Sequence, residues 1–396
     1  MTTVRVHDSR IRRFLNIIGA GANSVATVSV RIDGKRVTLS AECKGMTRIN
    51  YEIDRCDKLD ESILSGVLIT TKTHIKRALG SPGGLGYFRV GVGDFLWSIE
   101  GHPAHRLLSI QYAVEEKLNK QLPRCEFGID AGIFHTVLMR ALPFLDETDD
   151  RDRGLDTILL EITKDEMTIV ASTGIILSVE KMHVLAPRVM PKSIPKIRLT
   201  IGYWVAKAFC KAVGYHFKEH HEQVYFRLSP TSELTTKEDG FITPSGYVIQ
   251  YGPLSIYSEC KFSRATGYRT VFKDVDTIPF WYITPGGINQ LTDMCRNADS
   301  RDYITLAPGV GRSYIDVTYK SFPKECTSHH GIDGEINHKI LLNPSRLRTI
   351  LESLNGEGKY DLTQNVKVRV VSDGSDPNVF LVRYGSRKMA LAAMKE

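Results

Sequence analysis

The sequence predicts an α+β protein built from three tandem copies of one unit, each carrying two amphipathic helices packed on antiparallel strands. Three observations lead there. An order of helix, short strands, helix, short strands recurs along all 396 residues, and a repeat of this kind decides architecture before any single motif does. First-helix starts at Asp8, Asp130 and Thr284 lie 122 and 154 residues apart, and second-helix starts at Thr71, Ile201 and Asn343 lie 130 and 142 apart. The segments between helices alternate apolar and polar residues, the period of strands with one buried face. The repeat divides the chain into 1–122, 123–279 and 280–396.

In the first copy, Ile11, Phe14, Leu15 and Ile18 fall at i, i+3, i+4 and i+7, the spacing of one helical face. Asp8 or Ser9 supplies the N-cap and the pair Gly19 and Gly21 ends the helix. VATVSVRI, RVTLSAE and TRINYEI read as strands. A weaker helix over about Thr71 to Leu79 turns Ile75, Ala78 and Leu79 inward, and YFRVGV, FLWSIEG and RLLSIQYAV close the unit. The second copy restarts after Pro123, with Asp130 capping a helix whose apolar face holds Ile133, Phe134, Val137, Leu138, Ala141 and Leu142. DTILLEIT and EMTIVAST, separated by Lys164-Asp165, have hairpin spacing. A helix from Ile201 to Tyr215 turns Val205, Phe209, Ala212 and Val213 inward, and VYFRL, GYVIQYG and LSIYSECKF follow as strands. The third copy opens at Thr284-Pro285, a cap followed by proline at the first helical position. Its helix shows Ile288, Leu291 and Cys295 on one stripe, and YITLAP and SYIDVTY are the next strands. Asn343-Pro344 repeats the device before Leu347, Ile350, Leu351 and Leu354, and VKVRVVS and NVFLVRY end the unit.

Composition narrows the function classes. Hydrophobic residues make up 42% of the chain, enough for a core in each unit, and no apolar run reaches the ~20 residues of a membrane span. The start, MTTVRVHDSRIRR, has no apolar stretch of the signal-peptide type, so a cytoplasmic protein without membrane partners is expected. The seven cysteines stand singly with no CxxC pair, which argues against a disulfide framework or a zinc ribbon and for reduced thiols. A net charge of +7, from 52 Lys and Arg against 45 Asp and Glu, permits a nucleic-acid partner without requiring one.

The cations are distributed in a pattern. The non-core helix faces carry Arg10 and Arg13, Lys72 and Lys76, Arg140, Lys207 and Lys211, Arg296, and Arg346. On one helix such residues read as a solvated face. On six helices in equivalent positions they read as a surface able to hold phosphates without reading sequence.

Signals of enzymatic chemistry are poor, and no cofactor is expected. GAGANS (19–24) and GVGRS (309–313) lack the completing glycine or lysine of a phosphate loop and read as turns. His216, His220 and His221, and Ser328-His329-His330, suit exposed loops better than a metal site, because no carboxylate or cysteine stands at ligand spacing. Asp149, Asp150 and Asp152 read as an acidic loop, and Pro187–Pro195 as a loop within the second unit. The alternative from another class is a metal-dependent phosphodiesterase or nuclease using those histidines and nearby acids.

Three stretches carry a resemblance. LDTILLEITKDEMTIVASTGIILSV (155–179) resembles the second-domain hairpin of bacterial sliding clamps, the beta subunit of DNA polymerase III, through Leu155, Glu161, Val170, Ala171, Ser172, Gly174 and Leu177. SRATGYRTVF (263–272) resembles the segment that closes that domain, and LLNPSRLRTILESL (341–354) with VKVRVVSDGSDPNVFLVRY is similar to the last helix and strands of the third. In the first domain the likeness is one of topology. The resemblance implies a non-enzymatic DNA polymerase processivity factor: three clamp domains per chain, a head-to-tail homodimeric ring, helices lining a hole, and duplex DNA held without sequence preference. It implies a second site, an apolar pocket for short peptide motifs of the replicative polymerase and clamp loader, lined by Leu155, Ser172, Gly174, Leu177, Val271, Leu381 and Val382. Here the chain departs from the family, since Thr173, Ile175 and Ile176 stand where it has Asp, His and Arg. Arg383-Tyr384-Gly385-Ser386 replaces the Met-Pro-Met-Arg ending, and ten more residues follow to Glu396. Such divergence points to a phage or another mobile replicon. A clamp-like protein scaffold without ring closure is a third reading.

Overall fold

The structure, a computed structural model, describes residues 2–21, 27–33, 36–43, 47–54, 66–70, 73, 75, 85–91, 94–99, 105–106, 125–146, 154–163, 166–183, 185–189, 196–216, 223–228, 235–236, 240–260, 267–272, 281–298, 303–308, 314–319, 328–331, 339–354, 366–373 and 376–394. Two compact units emerge, one from residues 1–135, 163–165 and 184–260, the other from 136–162, 166–183 and 261–396.

The first unit is organised by a nine-stranded antiparallel sheet. Its order is Leu185–Val189, Cys125–Asp130, Gln223–Leu228, Gly246–Tyr251, Leu254–Glu259, Thr47–Asp54, Arg36–Cys43, Thr27–Asp33 and Gly66–Thr70. The middle junction pairs Leu254 with Tyr51 and Ile256 with Ile49, so segments far apart in sequence share one hydrogen-bond ladder. Alternation along these strands puts Val28, Val30, Val37, Leu39, Ile49 and Tyr51 inside. A smaller sheet runs Thr2–His7, Leu85–Gly91, Asp94–Ile99, His105–Arg106. Helix α1 (Asp8–Gly21) buries Ile11, Phe14, Leu15 and Ile18, the four residues expected to face inward.

In the second unit, seven strands follow one another as Thr157–Ile162, Glu166–Ser172, Ile176–His183, Arg387–Ala392, Asp376–Tyr384, Val366–Asp373 and Trp281–Ile283. A second sheet runs Ser328–Gly331, Tyr314–Tyr319, Ile304–Pro308, Ile340–Leu342. Ser328, His329 and His330, read from sequence as a loop, are therefore strand residues paired with Asp316 and its neighbours. Their short polar run gave no alternation to mark them.

Helix α2 (Ala131–Ala141) starts as its sequence dictates, with Asp130 Oδ1 accepting from Ile133 N at 2.8 Å. Its apolar face is narrower than expected, because Ile133 is 53% exposed and Leu142 opens a 3-10 turn (Leu142–Phe144). Helix α3 (Tyr203–His216) begins two residues after the expected Ile201, which belongs to the strand Ile197–Gly202. Val205, Phe209, Ala212 and Val213 are buried as expected. After the short α4 (Tyr268–Val271), α5 (Pro285–Asn297) and α6 (Pro344–Leu354) pack on each other. Both use the foreseen caps: Thr284 Oγ1 accepts from Gly287 N at 3.2 Å, and Asn343 Oδ1 from Arg346 N at 3.0 Å. Leu347, Ile350, Leu351 and Leu354 of α6 are buried, each contributing about 1.5–3 kcal/mol. The expected helix over Thr71–Leu79 falls largely outside the described residues, with Thr73 and Ile75 helical. The expected strand RLLSIQYAV and the loops GAGANS and GVGRS lie outside them, apart from Gly19–Gly21 in α1 and Arg106 in a strand.

Candidate functional site

Two surfaces, one in each unit, collect part of the sequence-predicted residues. In the first unit, α1 packs against α3 through their apolar faces. What α3 leaves outside follows from its period: Trp204, Lys207, Lys211 and Gly214, spaced 3, 4 and 3, form its outer stripe, with Trp204, Lys211 and Gly214 exposed and Lys207 half-buried. Lys207 Nζ donates to Tyr203 Oη at 3.1 Å and lies 5.0 Å from the Tyr203 ring and 5.4 Å from the Trp204 ring. On α1, Arg10 and Arg13 are half-buried between exposed Ser9 and Asn16. Asp8, 1% exposed, is the first residue of α1 and holds Arg12 Nε at 2.7 Å. That ion pair, in place of the expected cap, is the role it takes, because Asp8 is itself the first helical residue and its Oδ1 accepts no hydrogen bond from the described residues. Asp8 is the one carboxylate in the two helices, against Arg10, Arg12, Arg13, Lys207 and Lys211, so the pair of helices carries a net positive charge.

The other predicted cations are placed differently. Lys72 and Lys76 lie outside the described residues. Arg140 donates from Nη1 to Glu180 Oε1 at 3.0 Å, and Glu180 is itself buried. Beside them Arg387, 3% exposed, donates to Ser353 O at 2.6 Å, Arg140 O at 2.9 Å and Ser178 Oγ at 3.2 Å, and lies 5.3 Å from the Phe144 ring. Burial lowers the Arg387 pKa to about 10, against the pull of Glu180, so it stays charged at neutral pH. Arg140 thus belongs to a buried ionic knot, a structural role that sequence reasoning did not foresee. Arg296 sits in a mixed-charge network, 3.0 Å from Asp293 and 3.0 Å from Glu352, which also binds Arg348. Arg346 is half-buried at the start of α6.

The second surface is one face of the seven-strand array. Ser172 pairs with Leu177, Leu177 with Ala390 and Ala390 with Leu381, so these four form a row across four strands. Leu159, Val170 and Val179 form a parallel row two residues away. Leu159, Val170, Leu177, Val179, Leu381 and Ala390 are one buried cluster, with Tyr268, Phe272 and Val379 packed on it. The turn that ends the first row needs a glycine: Gly174 has φ +85°, and its N–H donates to Ser172 Oγ at 2.9 Å. Ser172 Oγ in turn donates to Ile176 O at 3.0 Å, and Thr173 Oγ1 accepts from Ile176 N at 3.2 Å. A Cβ on Gly174 would stand 3.9 Å from the Leu155 methyls, which places Leu155 against the turn. Ile175 at 50% and Val271 at 39% exposure are large apolar side chains left open to solvent.

Two residues that sequence reasoning matched but gave no role hold α4 on this face. Tyr268 Oη and Arg269 Nη2 both donate to Glu161 Oε2, at 2.7 and 2.6 Å, and Glu161 is 2% exposed. Burial, and then the Glu161 carboxylate, push the Tyr268 pKa above its ordinary value, so the phenol remains a donor throughout the neutral range. Val382 does not join Leu381. Successive strand residues point to opposite faces, and the cross-strand partner of Val382, Met389, touches Ser353 of α6 on the far side. Among the described residues, no group of three or more His, Cys, Asp or Glu is placed to hold a metal ion, and no helix is long and apolar enough to cross a membrane.

No protein-family description matches the sequence, and no curated protein is similar enough in sequence to align with it. The fold is nonetheless shared over its whole length with solved structures. DNA polymerase III beta subunit of Thermotoga maritima aligns with a TM-score of 0.76 at 9% identity, over 100% of this chain and 99% of its own. The DNA polymerase III subunit beta of Pseudomonas aeruginosa aligns at 0.74 with 12% identity, and the DNA polymerase sliding clamp of Caulobacter crescentus at 0.74 with 14%, each over 100% of both chains. The chain has the sliding-clamp fold.

Proposed function

We propose that this protein is a DNA polymerase processivity factor, a non-enzymatic sliding clamp that encircles duplex DNA as a head-to-tail homodimer of three-domain chains, 1–122, 123–279 and 280–396. The observation that carries the reading is full-length likeness to clamps of three organisms, joined to a cationic helix pair. Arg10, Arg13, Lys207 and Lys211 are assigned to phosphate contact, with Lys72, Lys76 and Arg346 as further candidates and Arg296 as a weaker one because it is tied to Asp293 and Glu352. A cationic surface without base-reading groups binds through phosphates and leaves the protein able to slide. Leu155, Ser172, Gly174, Leu177, Val271 and Leu381 are assigned to docking a peptide from the polymerase or clamp loader, with Ile175 as an added apolar contact. A cytoplasmic location at the replication fork, in a cell or a phage-infected host, follows from that role.

The test is primer extension on primed circular DNA by the cognate polymerase. Adding the protein should lengthen the products of a single binding event severalfold, and the quadruple charge reversal at Arg10, Arg13, Lys207 and Lys211 should abolish that gain. Unchanged product lengths with wild-type protein would refute the reading.

A further inference from the structure

The outer stripe of α3 holds a group that phosphate binding does not use. Trp204, 36% exposed, stands edge-on to Tyr203 with ring centroids 4.9 Å apart and planes at 81°. Lys207 is fixed by both rings and by the Tyr203 hydroxyl, so cation and indole are held in a set geometry before any ligand arrives. Lys211 continues the stripe one turn on, and Arg10 and Arg13 lie on the packed neighbour α1. An apolar protein partner would find one aromatic side chain among lysines here, which is too little apolar surface to bury. A polyanion that carries π-faces matches both features.

We propose that Trp204 and Lys207 form a stacking site for an unpaired DNA base, so that the chain holds single-stranded DNA next to a duplex in addition to the duplex itself. The proposal rests on reading the α1–α3 surface as the side that meets DNA. Non-specific single-strand binders combine an electropositive track with aromatic platforms in this way, because every base has a π-face. A base inside a duplex is already stacked on both sides, so the indole discriminates single strand from double strand while the lysines do not.

The experiment uses the full-length protein with a short oligo(dT) and a blunt hairpin duplex. The chain has three tryptophans, so the emission removed by Trp204→Phe isolates the Trp204 signal. Oligo(dT) should quench that component, and Trp204→Ala should weaken oligo(dT) binding about tenfold while changing duplex binding less than twofold. Lys211→Glu should weaken both ligands. If Lys211→Glu weakens both and Trp204→Ala changes neither, the stacking site is wrong and the DNA face stands. If Lys211→Glu changes neither, the face itself is misassigned and the stacking proposal falls with it. Unaltered circular dichroism of each variant establishes that the losses are not unfolding.

Discussion

Removing the Tyr268 hydroxyl tests how the face proposed to dock a peptide is built. Tyr268→Phe leaves the ring on the Leu159–Val170–Val179 cluster and deletes one of the donors to Glu161. A hydrogen bond to a charged, buried acceptor contributes about 1.5–3 kcal/mol. Another donor, Arg269, is half-exposed, with 51% of its side chain accessible, and its ion pair is worth under about 1 kcal/mol after solvent screening. Tyr268→Phe should therefore cost about 2 kcal/mol and Arg269→Ala under about 1 kcal/mol in urea unfolding of the second unit. Because α4 carries Val271, loosening it should also weaken binding of a fluorescent peptide from the polymerase, by up to the roughly tenfold that 1.4 kcal/mol represents. The phenol's raised pKa makes its contribution complete below the ordinary tyrosine range near pH 10 and lost as pH climbs beyond it, so the difference between wild type and variant should be flat from about pH 6 to 9. A Tyr268→Phe variant within about 0.5 kcal/mol of wild type at neutral pH would refute the claim that Glu161 anchors α4.

Arg387→Met should destabilise the same unit by about 3 kcal/mol, because it strips the partner from the Ser353 and Arg140 carbonyls and leaves Glu180 with Arg140 alone; denaturant titration reads this. Reversing Lys207 and Lys211 should lower the slope of log K against log salt for duplex binding by about 0.9 for each phosphate no longer neutralised, whereas reversing Arg296, already tied to Asp293 and Glu352, should leave that slope unchanged. Cys210, Cys260 and Cys295 should resist alkylation in the native protein at about pH 8, since burial raises their pKa values to about 12, 11 and 12; mapping of modified peptides by mass spectrometry checks it. Their share of stability is present below about pH 9 and is lost as pH rises through about 11 to 12.

Helices and caps were legible because they are local. Thr284-Pro285, Asn343-Pro344 and Asp130 each state a helix start within four residues, and each makes the bond its sequence implies. Periodicity read the burial of α1, α5 and α6 correctly but overextended the face of α2, since spacing places Ile133 beside Val137 without saying how wide a neighbour covers them. The position of Arg140 was illegible for a different reason. Its fate depends on Glu180 and Arg387, 40 and 247 residues away, and nothing near Arg140 encodes them. Glu161 and its donors are similarly 107 and 108 residues apart, and resemblance flagged both segments without showing that they meet. Val382 was separable from Leu381 by the two-residue strand period alone, a signal that carrying positions over from a family overrode.

The proposed processivity requires two copies of this chain to close around DNA, and solution mass measures that most directly. Light scattering coupled to size exclusion, over a hundredfold range of protein concentration, should give twice the 44.4 kDa of the chain. A mass that stays at 44.4 kDa throughout would contradict ring closure and remove the topological basis of processivity.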